Sequence, residues 1–475
     1  MQSGQSKRKE GFSYFIRTFG CQMNVADSLN YSRVLESLGL KKAESEDSCD
    51  LLVINTCSVR AKAEERAISY IGEVISRRRK LRGEGLNAMG GIAVVGCMAT
   101  VRGEEIQRRF PEVKLILPAV ESERFKEKII ETLPELVRED AEENIAFSSE
   151  LWEELPTLRP EEKFERFLPI IRGCSDRCTY CIVPRARGGK IRSVAPEEIF
   201  RQIELLKASG IKSITFLGQN VCAYGMDIWE KGERNEGWKD VPKGYGFAEL
   251  MEDVRDRFGA SGIWFKFLTS HPRNVSERLV DVIASHECFS RHFHLPLQAG
   301  DDKVLRRMGR RYTSEEYLAL ISMIREKIPE ARITTDIIVG FPGEDEEAFE
   351  RTMEMLRIIR FDAAFTFLYS PRSKTPAEKL ADPVPKEEKK RRLHLLISLQ
   401  NQITLEKGLE KVGEEREVLV EGPATGTVGR EKGLLGGRSR EEEVVVFRGS
   451  VEDIGKIVRV KLIEAHQRSF MGEKI

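Results

Sequence analysis

Short apolar runs, each followed by a stretch with helical spacing, recur along most of this chain. That is the pattern of parallel strands covered by helices on both faces. Residues 13–20 (SYFIRTFG) predict an aromatic-rich strand that ends at Cys21, and Asp27–Leu38 predicts a helix with Leu29, Val34, Leu35 and Leu38 on its apolar side. LLVINT (51–56) predicts a strand ending at Cys57, with a helix over Ala61–Arg79 behind it. GIAVVG (91–96) repeats the arrangement before Cys97 and a helix around Glu104–Arg109, and VKLILPAV predicts a fourth strand. After an acidic, proline-broken stretch, strand-like runs return at FLPIIRG, SITFLGQN, IWFKFLTS, FHLPLQ, ITTDIIVGF and AAFTFLYS, with helical patterns between most of them. Six such units suit a partial (β/α) barrel, whose functional residues should lie at strand C-terminal ends. Lys386–Lys411 predicts a long charged helix that packs back on the barrel, its KKRR run a solvated face. Beyond it, EREVLVEG, ATGTVGR, EEVVVFRG and IGKIVRVKLIEAH alternate β-branched and polar residues between glycines, predicting a small all-β barrel.

The fold class expected is therefore α/β with three domains, in keeping with a length of 475 residues. A parallel-sheet α/β domain spans 11–145, a linker 146–165, the partial (β/α)6 barrel 166–408 and the small C-terminal β-barrel 409–473. Apolar residues make up 40% and charged residues 32% of the chain, and no apolar run approaches the ~20 residues of a membrane span. The N-terminus lacks the apolar segment of a signal peptide, so the expectation is a cytoplasmic protein without a membrane partner. Net charge is zero, and a nucleic-acid role would have to rest on local basic patches.

Nine cysteines in a chain of this kind point to metal or redox chemistry rather than disulfides. Cys21, Cys57 and Cys97 each follow the end of a separate predicted strand, where open α/β sheets bind their ligands. A single cysteine there reads as a small buried hydrophobe; three in equivalent places favour a shared metal. Cys174, Cys178 and Cys181 form CxxxCxxC directly after FLPIIRG. Three thiolates on one loop can hold three irons of a cubane cluster and leave the fourth open. The competing reading, structural zinc, wants four protein ligands, and no fourth cysteine or histidine lies nearby.

With Tyr180 before its last cysteine, this loop resembles the signature of the radical S-adenosylmethionine superfamily. TFGCQMN, INTCSVR and VVGCMA resemble the three cysteine motifs of the radical methylthiotransferases. GCSDRCTYCIVPRARG, LGQNVCAYG, TSHPRN, HLPLQAGDDKVLRRMGRRYT, TDIIVGFPGE and FLYSPRSKTPA match the rest of that family in order. The C-terminal barrel resembles the family's TRAM domain, an RNA-binding module, and CQMN with LGQNV points to the MiaB-type tRNA branch. The run Gly189-Lys190-Ile191-Arg192-Ser193 departs from the acidic residue and Ser-Arg pair common after the loop, and Ala299 stands where serine is frequent.

The resemblance implies an enzyme, a transferase that methylthiolates C2 of N6-isopentenyladenosine next to the anticodon of tRNA. Cys174, Cys178 and Cys181 would ligate one [4Fe-4S] cluster, whose open iron binds S-adenosyl-L-methionine and cleaves it to a 5′-deoxyadenosyl radical. Cys21, Cys57 and Cys97 would ligate a second [4Fe-4S] cluster that supplies or carries the sulfur, facing the first across the substrate. Tyr180 would place its backbone against the cofactor adenine, and Gln219, Asn220 and Asp336, at predicted strand ends, would contact cofactor or substrate or else cap loops. The partners implied are the tRNA anticodon stem-loop, a reducing donor such as flavodoxin or ferredoxin, and a sulfur donor; a monomer is expected.

Arg185, Arg187, Lys190 and Arg192, and the second group Arg306, Arg307, Arg310 and Arg311, could neutralise RNA phosphates or form solvated faces. His271 reads as a barrel-mouth residue, His292 and His294 as structural, and Cys49, Cys222 and Cys288 as incidental. Three alternatives stay open at this point: methylthiolation of threonylcarbamoyladenosine in tRNA, methylthiolation of a ribosomal-protein aspartate, and a non-catalytic iron–sulfur RNA-binding protein.

Overall fold

The computed structural model describes residues 11–59, 61–83, 91–137, 164–231, 236–424 and 433–475. The chain divides into two compact units. The first holds the described residues up to 137 together with 172–176 and 181–191, and the second holds the remainder. The predicted linker falls almost entirely outside the described residues. Among the described residues no helix is long and apolar enough to cross a membrane.

In the first unit, strands β1 (Ser13–Thr18), β2 (Lys41–Lys42), β3 (Leu51–Thr56), β4 (Gly91–Gly96) and β5 (Val113–Pro118) form one parallel sheet in the order β2-β1-β3-β4-β5. Helices α1 (Gln22–Ser37), α2 (Ala61–Gly83), α3 (Cys97–Arg109) and α4 (Phe125–Thr132) cover it. Leu51 and Val53 pack on Tyr31, Leu35, Phe125 and Ile129, whereas Leu52 and Ile54 pack on Ala67, Ile71, Val74 and Ile106. Both faces of β3 are buried, which is why Leu51–Ile54 run continuously apolar. Helices α1 and α3 begin at the cysteine turns, earlier than their apolar periodicity predicts. The opening turns of α1 bury polar side chains, Asn24, Asp27 and Ser28, and the first turn of α3 buries Cys97, Met98 and Ala99.

The second unit repeats strand and helix six times. Its strands are β6 (Glu165–Pro169), β7 (Ser213–Leu217), β8 (Trp264–Phe267), β9 (His292–His294), β10 (Arg332–Val339) and β11 (Ala363–Leu368). Between and after them run α5 (Pro196–Ala208), α6 (Phe247–Phe258), α7 (Glu277–Ser285), α8 (Ser314–Lys327), α9 (Glu346–Ile359) and α10 (Lys386–Glu410). β6, β7 and β8 pair in parallel, as do β9, β10 and β11. A parallel bridge from Phe265 to Phe289 joins the two sets, so spatial order follows chain order. This is the six-unit partial barrel that the sequence predicts.

Two differences have plain causes. β9 stops at His294 although FHLPLQ predicts a longer strand, because Pro296 has no N–H for the ladder; the chain still bonds to β10 through Leu295 N to Thr334 O (2.8 Å) and Gln298 N to Asp336 O (2.8 Å). The KKRR face of α10 is not wholly solvated. Arg392 is buried against Glu344 (3.1 Å) and Lys389 is buried against Asp382, while Lys390 and Arg391 stay exposed.

Within the same unit, β12 (Glu415–Pro423), β13 (Leu434–Ser439), β14 (Val444–Arg448), β15 (Ile457–Ala465) and β16 (Phe470–Lys474) close a barrel in the order β12-β13-β14-β16-β15. Val418, Val420, Leu435, Val445, Phe447, Val460 and Leu462 fill it. β13 and β16, glycine-containing and polar, escape the alternation rule; most of the predicted strand ATGTVGR lies outside the described residues.

The turn between β13 and β14 is acidic and docks on the N-terminal ends of the larger barrel's strands. Glu442 pairs with the buried Lys266 of β8, which also reaches Glu165 of β6 (3.4 Å). Arg332 donates to the Glu441 carbonyl (3.2 Å), Arg440 donates to the Glu287 carbonyl and lies over the Trp264 ring, and Glu443 binds Lys411 (2.7 Å) and Arg416 (3.2 Å).

Candidate metal and cofactor site

Cys21, Cys57 and Cys97 stand at the C-terminal ends of β1, β3 and β4, three neighbouring strands of one sheet, as the spacing predicts. Cys21 caps α1, Cys57 follows β3 directly and Cys97 opens α3. Two glycines let the turns approach. Gly20 (φ +132°) leads into Cys21, and a Cβ there would stand 2.5 Å from the Cβ of Cys57. Gly96 (φ +96°) leads into Cys97, and a Cβ there would stand 2.5 Å from Asn55 Oδ1 and from the Thr56 carbonyl. Neither position admits a side chain without moving the cysteine loops.

Asparagines from two of the cysteine motifs tie the turns together. Asn24 Nδ2 donates to Asn55 Oδ1 (2.9 Å) and to the Thr56 carbonyl (2.9 Å), and Asn55 Nδ2 donates to the Asn24 carbonyl (2.8 Å). Cys21 Sγ donates to Asn24 Oδ1 (3.4 Å). Asn24, Asn55 and Thr56 are all buried, so each bond among them avoids an unsatisfied polar atom.

The charge beside the trio comes from Arg187. It lies in the short helix Val183–Arg187, after the second cysteine loop, and is buried in the first unit. Its guanidinium binds Asp27 Oδ2 (2.8 Å) and Asn24 Oδ1 (3.1 Å), and its charge acts on the Cys97 thiol. Arg172 takes the other Asp27 oxygen (3.0 Å). A thiol hydrogen bond from Cys57, and then the Arg187 charge, pull the Cys21 thiol below its ordinary value, while that same bond pushes Cys57 up and burial pushes Cys97 up. A phosphate-binding role for Arg187 is thus replaced by an internal one. Of the other basic candidates near it, Arg185 and Lys190 are exposed.

Burial alone would raise the Asp27 carboxyl, but Arg187 and Arg172 hold it below the ordinary carboxylate value. Its stabilising contribution is therefore complete above about pH 4 and lost as pH falls through the lower folded value. Asp27→Asn leaves two guanidinium groups underpaired in the interior and should destabilise the first unit by about 3–5 kcal/mol. Urea unfolding at pH 7 and pH 3 measures this: the gap between variant and wild type should shrink at the acid pH, and an equal gap at both would refute the ion-pair account.

Cys174 and Cys181 belong to the first unit and Cys178 to the second. Cys174 N donates to the Gly188 carbonyl (3.1 Å), which folds the chain after the loop back on it. In the second unit Cys178 Sγ accepts from Arg310 Nη1 (3.5 Å). Arg310, read in sequence as part of a basic face, is buried; it also donates to Tyr312 Oη (3.0 Å) and to the Pro296 carbonyl (3.0 Å). Thr179 is held by backbone and side-chain bonds to the Met308 and Arg307 carbonyls (2.8 Å each), and the Tyr180 ring meets Phe341 edge-on. Arg306 and Arg311 remain exposed.

Gln219 and Asn220 follow the end of β7, where expected. Asn220 is a loop brace: it bonds Asn274 Oδ1 (2.9 Å) and the His271 amide (3.1 Å). Gln219 differs, since its buried Oε1 has no hydrogen-bond partner among the described residues, a polar atom that a bound cofactor or substrate could satisfy. Asp336 is the fifth of the eight residues of β10 rather than a strand-end residue, and its carboxylate is 3.5 Å from His294 Nε2. His271 is buried with its ring against Tyr312, and His292 bonds Thr334 Oγ1 (2.8 Å) as a structural residue. Cys49, Cys222 and Cys288 are each buried; Cys49 accepts from Arg78 (3.1 Å) and Cys222 bonds Ser270 (3.4 Å).

Among the described residues, no three His, Cys, Asp or Glu side chains converge on the geometry of a single ion. The donor chemistry fits a cluster: three thiols from three strand ends, one drawn towards thiolate beside a fixed cation, suit iron and sulfide rather than hard cations.

Comparison with known proteins agrees in parts and as a whole. Residues 13–118 match the model described as uncharacterized protein family UPF0004, 168–356 the Radical SAM superfamily, and 409–475 the TRAM domain. The tRNA-2-methylthio-N(6)-dimethylallyladenosine synthase of Dictyoglomus thermophilum is 42% identical over 97% of this chain and 98% of its own length. The protein of the same name from Pelotomaculum thermopropionicum is 39% identical over 97% of each chain. Among solved structures, the radical S-adenosylmethionine methyltransferase TsrM of Kitasatospora setae superposes with a TM-score of 0.55 at 12% identity, over 88% of this chain and 80% of that one, a likeness of fold.

Proposed function

We propose a reaction from one premise: this chain belongs to the family of the tRNA-2-methylthio-N(6)-dimethylallyladenosine synthases. The reaction is methylthiolation at C2 of N6-dimethylallyladenosine in tRNA. It uses the [4Fe-4S] cluster and S-adenosylmethionine that its radical superfamily implies. The observation that carries this reading is the gathering of Cys21, Cys57 and Cys97 at one sheet edge in a chain that also holds CxxxCxxC.

Cys174, Cys178 and Cys181 hold one cluster, and Cys21, Cys57 and Cys97 hold a second. When bound, these groups supply the one-electron chemistry needed at an unactivated C–H bond, which offers no acidic proton to a general base. The chain's own residues set the stage. Arg187, fixed by Asp27 and Asn24, balances thiolate charge at the first trio. Arg310 donates to Cys178 and steadies its sulfur. Tyr180 and Gln219 contact the cofactor, the latter through its buried Oε1, unpartnered among the described residues. A flavodoxin- or ferredoxin-like donor, a sulfur donor, the anticodon stem-loop as the bound part of tRNA, a monomeric state and a cytoplasmic setting complete the proposal.

Mass spectrometry of nucleosides from tRNA of a deletion strain and its parent tests it. The deletion should accumulate N6-dimethylallyladenosine and lack its 2-methylthio derivative. Unchanged tRNA would sink the assignment.

A further inference from the structure

The inner face of the partial barrel carries a strip that the roles above leave unused. On β10, Thr335 Oγ1 and, from α8, Tyr317 Oη both donate to the Leu295 carbonyl (2.8 and 2.7 Å), and Ile333 and Ile337 are fully buried, so that face packs on the helices. Thr334, Asp336 and Ile338 therefore point the other way, into the barrel. The register pairs Asp336 with Phe365 and Ile338 with Phe367 on β11, and Thr334 with His294 on β9. Phe365 is 53% exposed, uncommon for a phenylalanine at a strand centre. His294 meets it edge-on at 5.9 Å, fixed by Thr334 Oγ1 on Nδ1 (3.0 Å) and with Nε2 3.5 Å from Asp336. Ile338 and Phe367, one step further along the same face, are partly open as well. Below the strip the acidic turn closes the barrel floor through Lys266 and Arg332.

A half-exposed aromatic face flanked by a carboxylate and an imidazole, with an apolar step beside it, has the chemistry to hold a purine. The ring stacks on the π-face, polar groups read its edge, and an apolar substituent rests on the apolar step. We propose that Phe365, with His294 and Asp336, is the seat of the target adenine, and that Ile338 and Phe367 cover its dimethylallyl group. This deepens the substrate reading above and rests on it.

The test uses full-length protein, prepared anaerobically with its clusters, and two anticodon stem-loop RNAs. One carries N6-dimethylallyladenosine at the target position; the other is abasic there. Wild type should prefer the first. Phe365→Leu should lose about tenfold or more in affinity for the modified RNA, with no change for the abasic RNA or for S-adenosylmethionine, while Phe365→Tyr, which keeps a stacking face, should bind as wild type. Equal weakening for both RNAs in Phe365→Leu, or none for either, overturns the seat while the substrate reading stands. Weakened S-adenosylmethionine binding would give the strip to the cofactor and overturn it too. If wild type binds the two RNAs alike, the substrate reading itself fails and the seat with it.

Discussion

Cys57→Ala should leave S-adenosylmethionine cleavage measurable while abolishing the methylthiolated product, and Cys174→Ala should abolish both. The two cysteines are similar in burial, 2% and 9% exposed, and a buried Cys→Ala change removes one sulfur from a small site, so neither variant should unfold. The consequence is chemical. Each trio has three thiolates and no spare cysteine within reach in sequence, so losing one leaves too few ligands to retain a cubane. Iron should fall from roughly eight atoms per chain to roughly four in each variant, measured on anaerobically reconstituted protein alongside chromatographic assay of 5′-deoxyadenosine. Full product from Cys57→Ala would show that the N-terminal trio is not a second cluster site. Zinc in place of iron would remove both.

The next largest effect is expected where the acidic turn docks. Glu442→Gln leaves the ammonium of Lys266, 4% exposed, with only the longer contact to Glu165. Breaking one side of a buried pair costs about 3–5 kcal/mol, more than the pair itself contributes over an apolar replacement. Glu442 also sits at φ +67°, a conformation that L side chains adopt at some cost. Glu442→Gly would relieve that strain of about 1–2 kcal/mol and still be destabilised, since the orphaned Lys266 outweighs it. The double variant Lys266→Met/Glu442→Gln should recover most of the loss. Trypsin cleavage at Arg438 and Arg440 reads the release of the turn: fast in Glu442→Gln, slower in the double variant. Cleavage of Glu442→Gln at the wild-type rate would mean that the ion pair does not hold the turn.

The repeat of strand and helix, the closed C-terminal barrel and the placement of three cysteines at strand ends are all legible in the sequence. They follow from local periodicity, and β3 shows why: four apolar residues, Leu51–Ile54, and then Asn55 and Thr56 lead straight into Cys57. What escapes is every charge whose partner is distant in sequence. Arg187 and Arg310 sit in basic clusters that look solvated, yet each is buried, because Asp27 awaits the first and the Cys178 sulfur the second. Lys266 lies between two phenylalanines in an apparent core strand, and the acid that pairs with it is 176 residues away. Asn24 and Asn55 were visible as letters of the cysteine motifs, but the bond between them appears only once β1 and β3 are side by side. Pro296 could have warned that β9 would end early.

The membership of residues 172–176 and 181–191 in the first unit has a consequence for dissecting the molecule. A fragment ended at Val137 would carry Cys21, Cys57 and Cys97 and a complete five-stranded sheet. It would also strand Asp27 in the interior with neither guanidinium to meet it, and would lack the Ala186 carbonyl that Thr100 binds (3.0 Å). The N-terminal sheet is therefore not an autonomous module that can be severed and studied alone; its last piece is delivered from the far side of the chain.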